Sequence, residues 1–312
     1  MPILRLNAGP CGLTVHGSPA AALPAIRSAA RGTGPVMVLI HGFKYDPEDT
    51  IFSPHTSIFG TALHHHKDGN VQWLRHLGFC SGNPSEGLAI AFAWRARGNL
   101  WRAERAAHAA GQHLAEVIAL IRRIAPDRPI HVISHSMGSE VIFEALKTLP
   151  ADAVQRIVAL SGATYASRAA AAMQSRAGRT AELFNITSRE NDVFDFMYER
   201  LIAPRVPGDR AMGTGLDLPN VINLQLDCAR TLAALTRFGG HIAPAARRMC
   251  HWSGYTRPGA LRFYAHALRN PREVALPSLQ HALPDAPAPR WSRMFAPPKV
   301  SLPLPIAQKT AS

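Results

Sequence analysis

Cysteines are scarce in this sequence, with four in 312 residues, and they lie far apart. A disulfide framework or a cysteine-based zinc site needs cysteines at short, regular spacing, and the sequence has no C-x-x-C pair. We therefore expect free thiols in a reducing compartment. The four positions are Cys11, Cys80, Cys228 and Cys250.

Long apolar runs are missing as well. The first six residues lack the basic and then apolar pattern of a secretory signal peptide. No run approaches the roughly 18 apolar residues that a membrane-spanning helix needs. These two absences predict a soluble, cytoplasmic protein without a transmembrane segment.

Acidic residues are outnumbered, at 21 Asp and Glu against 34 Lys and Arg, so the formal net charge is +13. Such a surplus can indicate a nucleic-acid or acidic-membrane partner. The arginines, however, are spread along the chain, without a long basic run or interleaved aromatic residues. We expect a solvated basic surface and no specific nucleic-acid partner.

Patterns that would hold a metal or a cofactor are not found. Three consecutive histidines at 64–66 have no carboxylate or cysteine partner at ligand spacing, and adjacent side chains point in different directions. We interpret them as part of a surface loop. The sequence therefore predicts neither a metal nor a cofactor.

Apolar runs typical of buried strands alternate with apolar residues at helical spacing, which predicts an α/β fold with a doubly wound, mostly parallel sheet. The length and the 47% hydrophobic content allow one large core. We expect a single catalytic domain over 1–283 and an extended, Pro-rich C-terminal extension over 284–312. The predicted strands are 3–8, 12–17, 35–43, 87–94, 130–133, 156–160, 182–187 and 221–226. The predicted helices are 71–77, 100–124, 141–149, 164–177, 193–202 and 259–268.

The chain is organised around residues 129–140, which read as a strand, a sharp turn and a helix. The turn, Ser-His-Ser-Met-Gly at 134–138, fits the small-x-Ser-x-small pattern of a nucleophile elbow, with Ser134 in place of the usual first glycine. Small residues are needed there because strand and helix pass close together. Ser136 is the candidate nucleophile, and the Met137 N–H is a candidate oxyanion donor. The alternative is an ordinary strand and helix with serines by chance.

A serine nucleophile needs a base and an acid that orients the base. In the chain order Ser, Asp, His, the acid follows the strand at 182–187. Asp192 is the candidate acid, and Asp195 and Glu190 are the alternatives. Asp192 at the start of a helix would otherwise serve as an N-cap.

The candidate base is His251, which lies after the last predicted strand and before the closing helix, and His241 is the alternative. His266 and His281 are interpreted as structural or surface residues. A second oxyanion donor is expected at the Phe43 N–H, because the strand before it ends in His-Gly and a glycine lets the backbone turn its N–H inward.

These motifs resemble the α/β-hydrolase superfamily of serine hydrolases over about residues 35 to 270. They are most similar to a poorly characterised bacterial branch in which the strand before the long helix ends in Trp-Pro-Ser. Here Trp94 matches, and Arg95 and Ala96 replace the Pro-Ser pair. The resemblance implies a triad of Ser136, Asp192 and His251, with the Phe43 and Met137 amides as the oxyanion hole.

No large cap fits between the strands at 156–160 and 182–187. A roof over the site is therefore expected from 44–86 or from 203–245. The candidate acyl-pocket residues, for which ordinary packing is the alternative, are Phe52, Phe59, Trp73 and Leu74.

The sequence thus predicts a cofactor-independent serine esterase, monomeric or homodimeric, that cleaves a small-molecule acyl ester through an acyl-enzyme on Ser136. Amide, thioester and lactone substrates stay open. The alternative is a non-catalytic protein of the same fold whose basic surface binds an anionic partner.

Overall fold

The computed structural model describes residues 3–62, 71–284 and 288–295, so the histidines at 64–66 lie outside the described residues. At its centre is an eight-stranded sheet with the order β2-β1-β4-β3-β5-β6-β7-β8. Neighbouring strands run parallel except in the hairpin of β1 and β2 at one edge. The strands are β1 Ile3–Gly9, β2 Gly12–Val15, β3 Val36–Ile40, β4 Leu88–Trp94, β5 Ile130–His135, β6 Arg156–Leu160, β7 Glu182–Thr187 and β8 Val221–Gln225.

The inner strands are apolar because helices cover both faces of the sheet. Every residue of β3, β4, β5 and β6 is buried, which is typical of parallel strands in this setting. In contrast, β1 alternates buried and partly buried residues, as expected nearer an edge. The predicted α/β fold with a mostly parallel sheet is therefore confirmed.

Ten helices are found in the part of the chain that the structure describes. They are α1 Ala22–Ala30, α2 Trp73–His76, α3 Leu100–Ile124, α4 Gly138–Leu146, α5 Ala166–Met173, α6 Asp192–Leu201, α7 Ala229–Thr236, α8 Ser253–Thr256, α9 Ala260–Arg269 and α10 Leu276–Ala282. One apolar core lies between the sheet and α1, α3, α4 and α5. The other lies on the opposite face, beneath α2, α9 and α10. The sheet is therefore doubly wound.

The longest helix, α3, illustrates how the sequence determines an element. The Asn99 side chain accepts a hydrogen bond from the Arg102 N–H at 2.8 Å and so caps the helix. Small residues then allow close packing: a Cβ on Gly111 would lie 2.6 Å from the Glu144 Cβ of α4. α3 thereby braces α4, the helix that follows the predicted nucleophile.

Residues 288–295 of the C-terminal extension pack back onto the fold. The Trp291 N–H donates to Asp192 Oδ2 at 2.6 Å, and Arg293 Nη2 donates to the Ala245 carbonyl at 2.9 Å. The boundary at 283/284 stays a prediction. Among the described helices, none combines the length and the apolar character needed to cross a bilayer.

Candidate active site

The predicted strand, turn and helix are found around Ser136, which lies between β5 and α4 with a φ of 53°. This left-handed conformation is rare for a residue with a side chain. The Ser136 N–H donates to the Leu160 carbonyl at 3.0 Å, which ties the turn to β6. Two glycines provide the space: a Cβ would lie 2.5 Å from the His41 carbonyl at Gly138 and 2.8 Å from the Ser136 Cβ at Gly42. The turn therefore depends on both glycines.

A cavity of about 430 Å³ opens at this turn. Four of the five predicted site residues line it, and they come from three separate parts of the chain: Phe43, Ser136, Met137 and His251. The remaining wall is mostly apolar. It consists of Lys44, Tyr45, Leu100, His135, Ala163, Phe194, Met197, Tyr198, Leu201 and Trp252.

The His251 ring is oriented by an amide. Its Nδ1–H donates to Asn191 Oδ1 at 2.7 Å, and Asn191 Nδ2 donates to Asp195 Oδ1 at 2.9 Å. A carboxylate only accepts hydrogen bonds, so Asp195 fixes the amide with its oxygen toward His251. His251 is thereby held with the proton on Nδ1 and with Nε2 as a proton acceptor.

Asp192, the predicted acid, contacts other groups. Its Oδ2 accepts the Trp291 N–H at 2.6 Å, and its Oδ1 lies 3.3 Å from Arg189 Nη1. The prediction that Asp192 orients the base is therefore not met, and Asn191 takes that position. The physical reason is rotation: one residue along a helical turn moves the side chain by about 100°. Asp192 is the first residue of α6 and its N-cap is Asn191, so the N-cap alternative does not describe it either.

Asp195 and Glu190, the two alternative acids, do not line the cavity. Burial raises the pKa of Asp195 to about 7, and Arg290 and Arg189 oppose the shift. Glu190 forms a buried ion pair with Arg257 and accepts the Arg247 N–H at 3.2 Å. Its own carbonyl accepts the Cys250 N–H at 2.8 Å. Glu190 therefore fastens the segment that carries His251 to the turn that carries Asn191.

The surroundings of His251 keep its imidazole neutral. The ring stacks on Phe194 with centroids 4.8 Å apart and lies 4.7 Å from the ring of His135. Burial lowers the pKa of His251 well below its usual range, and His135 and Lys44 lower it further. The alternative base, His241, is exposed and is not part of the cavity wall.

Trp94 and His41 together fix the loop that carries Phe43. The Trp94 N–H donates to His41 Nε2 at 3.1 Å, and the indole N–H donates to the His41 carbonyl at 3.1 Å. The two rings stack with an interplanar angle of 5°. His41 Nδ1–H donates to the Gly42 carbonyl at 2.8 Å. The tryptophan at the end of β4 thus has a structural role beside the site.

The roof of the cavity is α6, which contributes Phe194, Met197, Tyr198 and Leu201. This corrects the expectation of a roof from 44–86 or 203–245, since among the residues of these segments that the structure describes only Lys44 and Tyr45 line the cavity. The candidate acyl-pocket residues also lie elsewhere. Phe59, Trp73 and Leu74 belong to the core beneath α2, and Phe52 lies under the Arg97 guanidinium at 4.0 Å.

The sequence prediction does not include Asn191, because the triad pattern names a carboxylate as the partner of the base. An amide oxygen can also orient a histidine, as in cysteine proteases with a Cys-His-Asn arrangement. Allowing amides would have brought Asn191 into the set of candidates. Within the described ranges, no group of three or more His, Cys, Asp and Glu side chains is arranged to hold a metal ion.

The mostly parallel eight-stranded sheet, with a serine on the strained turn between a central strand and its helix, defines an α/β hydrolase. The fold and the match to a family model support membership of the α/β-hydrolase superfamily and hydrolase activity in general. Residues 24–166, slightly less than half of the chain, match the family model described as "Alpha/beta hydrolase of unknown function (DUF900)". That stretch includes Phe43, Ser136 and Met137, and it ends before Asn191 and His251.

No curated protein matches the chain. Among solved structures, the chain is similar to an acylaminoacyl peptidase from Pyrococcus horikoshii with 16% sequence identity and a TM-score of 0.26. The match covers 50% of this chain and 28% of that chain. A likeness of this size leaves substrate and mechanism open.

Proposed function

We propose that the protein is a serine hydrolase that cleaves a carboxylic ester through an acyl-enzyme on Ser136. His251 is the general base and Asn191 orients it. The observation that carries the proposal is the combination, in one cavity, of a serine on a strained turn and a histidine whose Nδ1–H is bound by an amide oxygen. A surface that only binds a partner requires neither feature.

In the first half of the reaction, Ser136 Oγ attacks the acyl carbon while His251 Nε2 takes the hydroxyl proton. The carbonyl oxygen becomes an oxyanion, which the N–H groups of Phe43 and Met137 stabilise. Protonated His251 then donates its proton to the leaving alcohol oxygen as the ester C–O bond breaks. The acyl group remains on Ser136.

In the second half, a water attacks the acyl carbon and His251 takes its proton. The same two N–H groups stabilise the second oxyanion. The bond from the acyl carbon to Ser136 Oγ breaks, and the proton on His251 returns to Oγ. A carboxylic acid leaves and the enzyme is restored.

The chemistry of the base favours an ester. The imidazolium formed during acylation is stabilised directly by the neutral Asn191 amide, and the Asp195 carboxyl lies one hydrogen bond further away. This stabilisation is weaker than that of a directly bonded carboxylate. An alkoxide leaves far more readily than the anion of an amine, so an amide nitrogen must be protonated before it leaves. Ester cleavage therefore makes the smaller demand on His251 as a proton donor. The apolar wall suits the hydrocarbon part of the acyl group.

A fluorophosphonate probe tests this proposal. Ser136 Oγ should bond to phosphorus as fluoride leaves, since His251 accepts the proton and the two N–H groups receive the phosphoryl oxygen. A free histidine titrates near pH 6.5. The depressed pKa of His251 keeps its imidazole neutral at more acid pH, so protonation of the base should lower labelling only well below pH 6.5. Protonation of Asp195, whose pKa is raised to about 7, frees the Asn191 amide to turn, so labelling should begin to fall as the pH drops through about 7. Gel fluorescence at each pH, with circular dichroism to confirm folding, measures this.

Two alanine variants make the assignment of the base specific. His251→Ala should abolish labelling, and His241→Ala, which alters an exposed histidine, should leave it unchanged. Folded protein that stays unlabelled at pH 8, or labelling that survives His251→Ala, would contradict the proposed mechanism.

A further inference from the structure

The wall of the cavity carries a single formally charged side chain among the described residues, that of Lys44. Lys44 is exposed and lies at the mouth of the cavity. Met197 and Trp252 lie there as well, and these residues are 49% and 46% exposed. Deeper in the cavity, the wall is made of apolar and neutral groups. A positive charge is thus placed at the boundary between an apolar cavity and solvent.

The backbone of Lys44 is held in a conformation that disfavours a side chain. Its φ is 79°, in the left-handed region that glycine occupies most easily. Its N–H donates to the Ala96 carbonyl at 2.9 Å, which fixes the residue in place next to Phe43. Strained residues of this kind cluster at ligand sites. A lysine with this strained backbone conformation, in the wall of the cavity, points to a use for its ammonium group.

Two nearby acidic groups are paired with arginines, and a third, Asp46, accepts the Glu48 N–H. Glu48 pairs with Arg95 and Asp49 pairs with Arg97, both across the loop that follows Lys44. In the described part of the chain, no ion pair is found for Lys44 itself. Lys44 lines the same cavity as Ser136 and His251, and its charge lowers the pKa of the His251 imidazole. A bound ligand that reaches the reacting atoms would therefore also reach Lys44.

We propose that the substrate is an acyl ester with an anionic group on its alcohol part, and that Lys44 binds this group. The apolar interior takes the acyl chain, so the alcohol part lies at the mouth, where the ammonium is. This inference rests on the proposed ester hydrolysis and adds the charge of the substrate. The surplus of positive charge over the whole chain favours the approach of such an anion.

Three butyrate esters of nearly equal leaving-group strength test this proposal. Their alcohol parts are 4-hydroxyphenylacetate (anionic), 4-hydroxyphenylacetamide (neutral) and tyramine (cationic). At low salt, kcat/KM should be about three- to tenfold higher for the anionic than for the neutral ester, as for one charge pair near the surface, and lowest for the cationic ester. Salt should reduce the preference.

The decisive quantity is the ratio of kcat/KM for the anionic and neutral esters. Lys44→Met, which keeps the length of the side chain and removes its charge, should bring the ratio to about one, and Lys44→Arg should retain it. Arg97→Met removes a charge that is already paired with Asp49 and should leave the ratio as in the parent protein. If the ratio of kcat/KM for the anionic and neutral esters is the same in the parent and in Lys44→Met, the inference about Lys44 is wrong, and the proposed ester hydrolysis is unaffected. If none of the three esters is hydrolysed, the proposed function is contradicted as well.

Discussion

Ser136→Ala is expected to lower kcat for a p-nitrophenyl butyrate substrate by about 10⁴-fold or more, because no other group on the turn can form the acyl-enzyme. The fold should survive. Alanine and serine are similarly strained at the φ of 53° that this position has. The nearby glycines leave the same space for the Cβ of either residue. Steady-state kinetics together with urea unfolding would separate a loss of activity from a loss of structure.

Ser134→Ala is the matched control, two residues earlier, on the strand that leads into the turn. The Ser134 hydroxyl lies 3.0 Å from the Ser139 hydroxyl inside the protein, away from the cavity wall. Its removal should cost about 1 kcal/mol of unfolding free energy and leave most of the activity. If Ser134→Ala were inactive and Ser136→Ala active, the nucleophile would be misassigned.

Asp195→Asn is expected to lower kcat by about 10²- to 10⁴-fold. A carboxylate at 195 can only accept from Asn191 Nδ2, whereas an amide can also donate to Asn191 Oδ1. The Asn191 amide is then free to turn its NH₂ toward His251, which favours the wrong imidazole tautomer. The effect should appear in kcat more than in KM, because Asp195 does not line the cavity.

Asp192→Asn is the isosteric control on the same helix. Its carboxylate faces the Trp291 N–H and Arg189, so the change should lower stability and leave kcat within a few-fold of the parent. The opposite pair of results, with Asp192→Asn inactive and Asp195→Asn active, would restore Asp192 as the residue that orients the base.

The elements that position Ser136 were predictable because their signals are local. The helix Leu100–Ile124 and the strands Arg156–Leu160 and Glu182–Thr187 have the predicted bounds. A strand, a turn of small residues and a helix adjoin in sequence, so the position of Ser136 on a turn follows from its immediate neighbours. Phe43 and Met137 could be located for the same reason, as each follows a buried strand closely.

The partner of His251 could not be predicted in this way. Whether Asn191 or Asp192 faces the imidazole depends on the rotation of a short helical turn, which is set by two contacts within the turn and by one from Trp291, far along the chain. Trp291 and Arg189 hold Asp192, and Asp195 holds Asn191. All of these residues are far from His251 in sequence, so no pattern around His251 encodes the arrangement.

The roof was mislocated for a related reason. The helix Asp192–Leu201 is amphipathic, and the sequence does not tell which apolar side chains face the core and which face a cavity. Met197 and Leu201 are half exposed and line the cavity, whereas Trp73 and Leu74 are fully buried in the core. The helices Ala229–Thr236 and Leu276–Ala282 were missed because they are short, and Pro277 lies in the first turn of the second.

Direct detection of the acyl-enzyme provides the most direct test of the proposed chemistry. The protein is mixed with excess p-nitrophenyl butyrate, quenched in acid within the first turnovers, and analysed as intact protein and as peptides by mass spectrometry. We expect a fraction of the protein to carry one butyryl group, located by fragmentation on Ser136 and absent from Ser136→Ala. Turnover without any butyryl adduct, or an adduct that stays in Ser136→Ala, would contradict covalent catalysis by this serine.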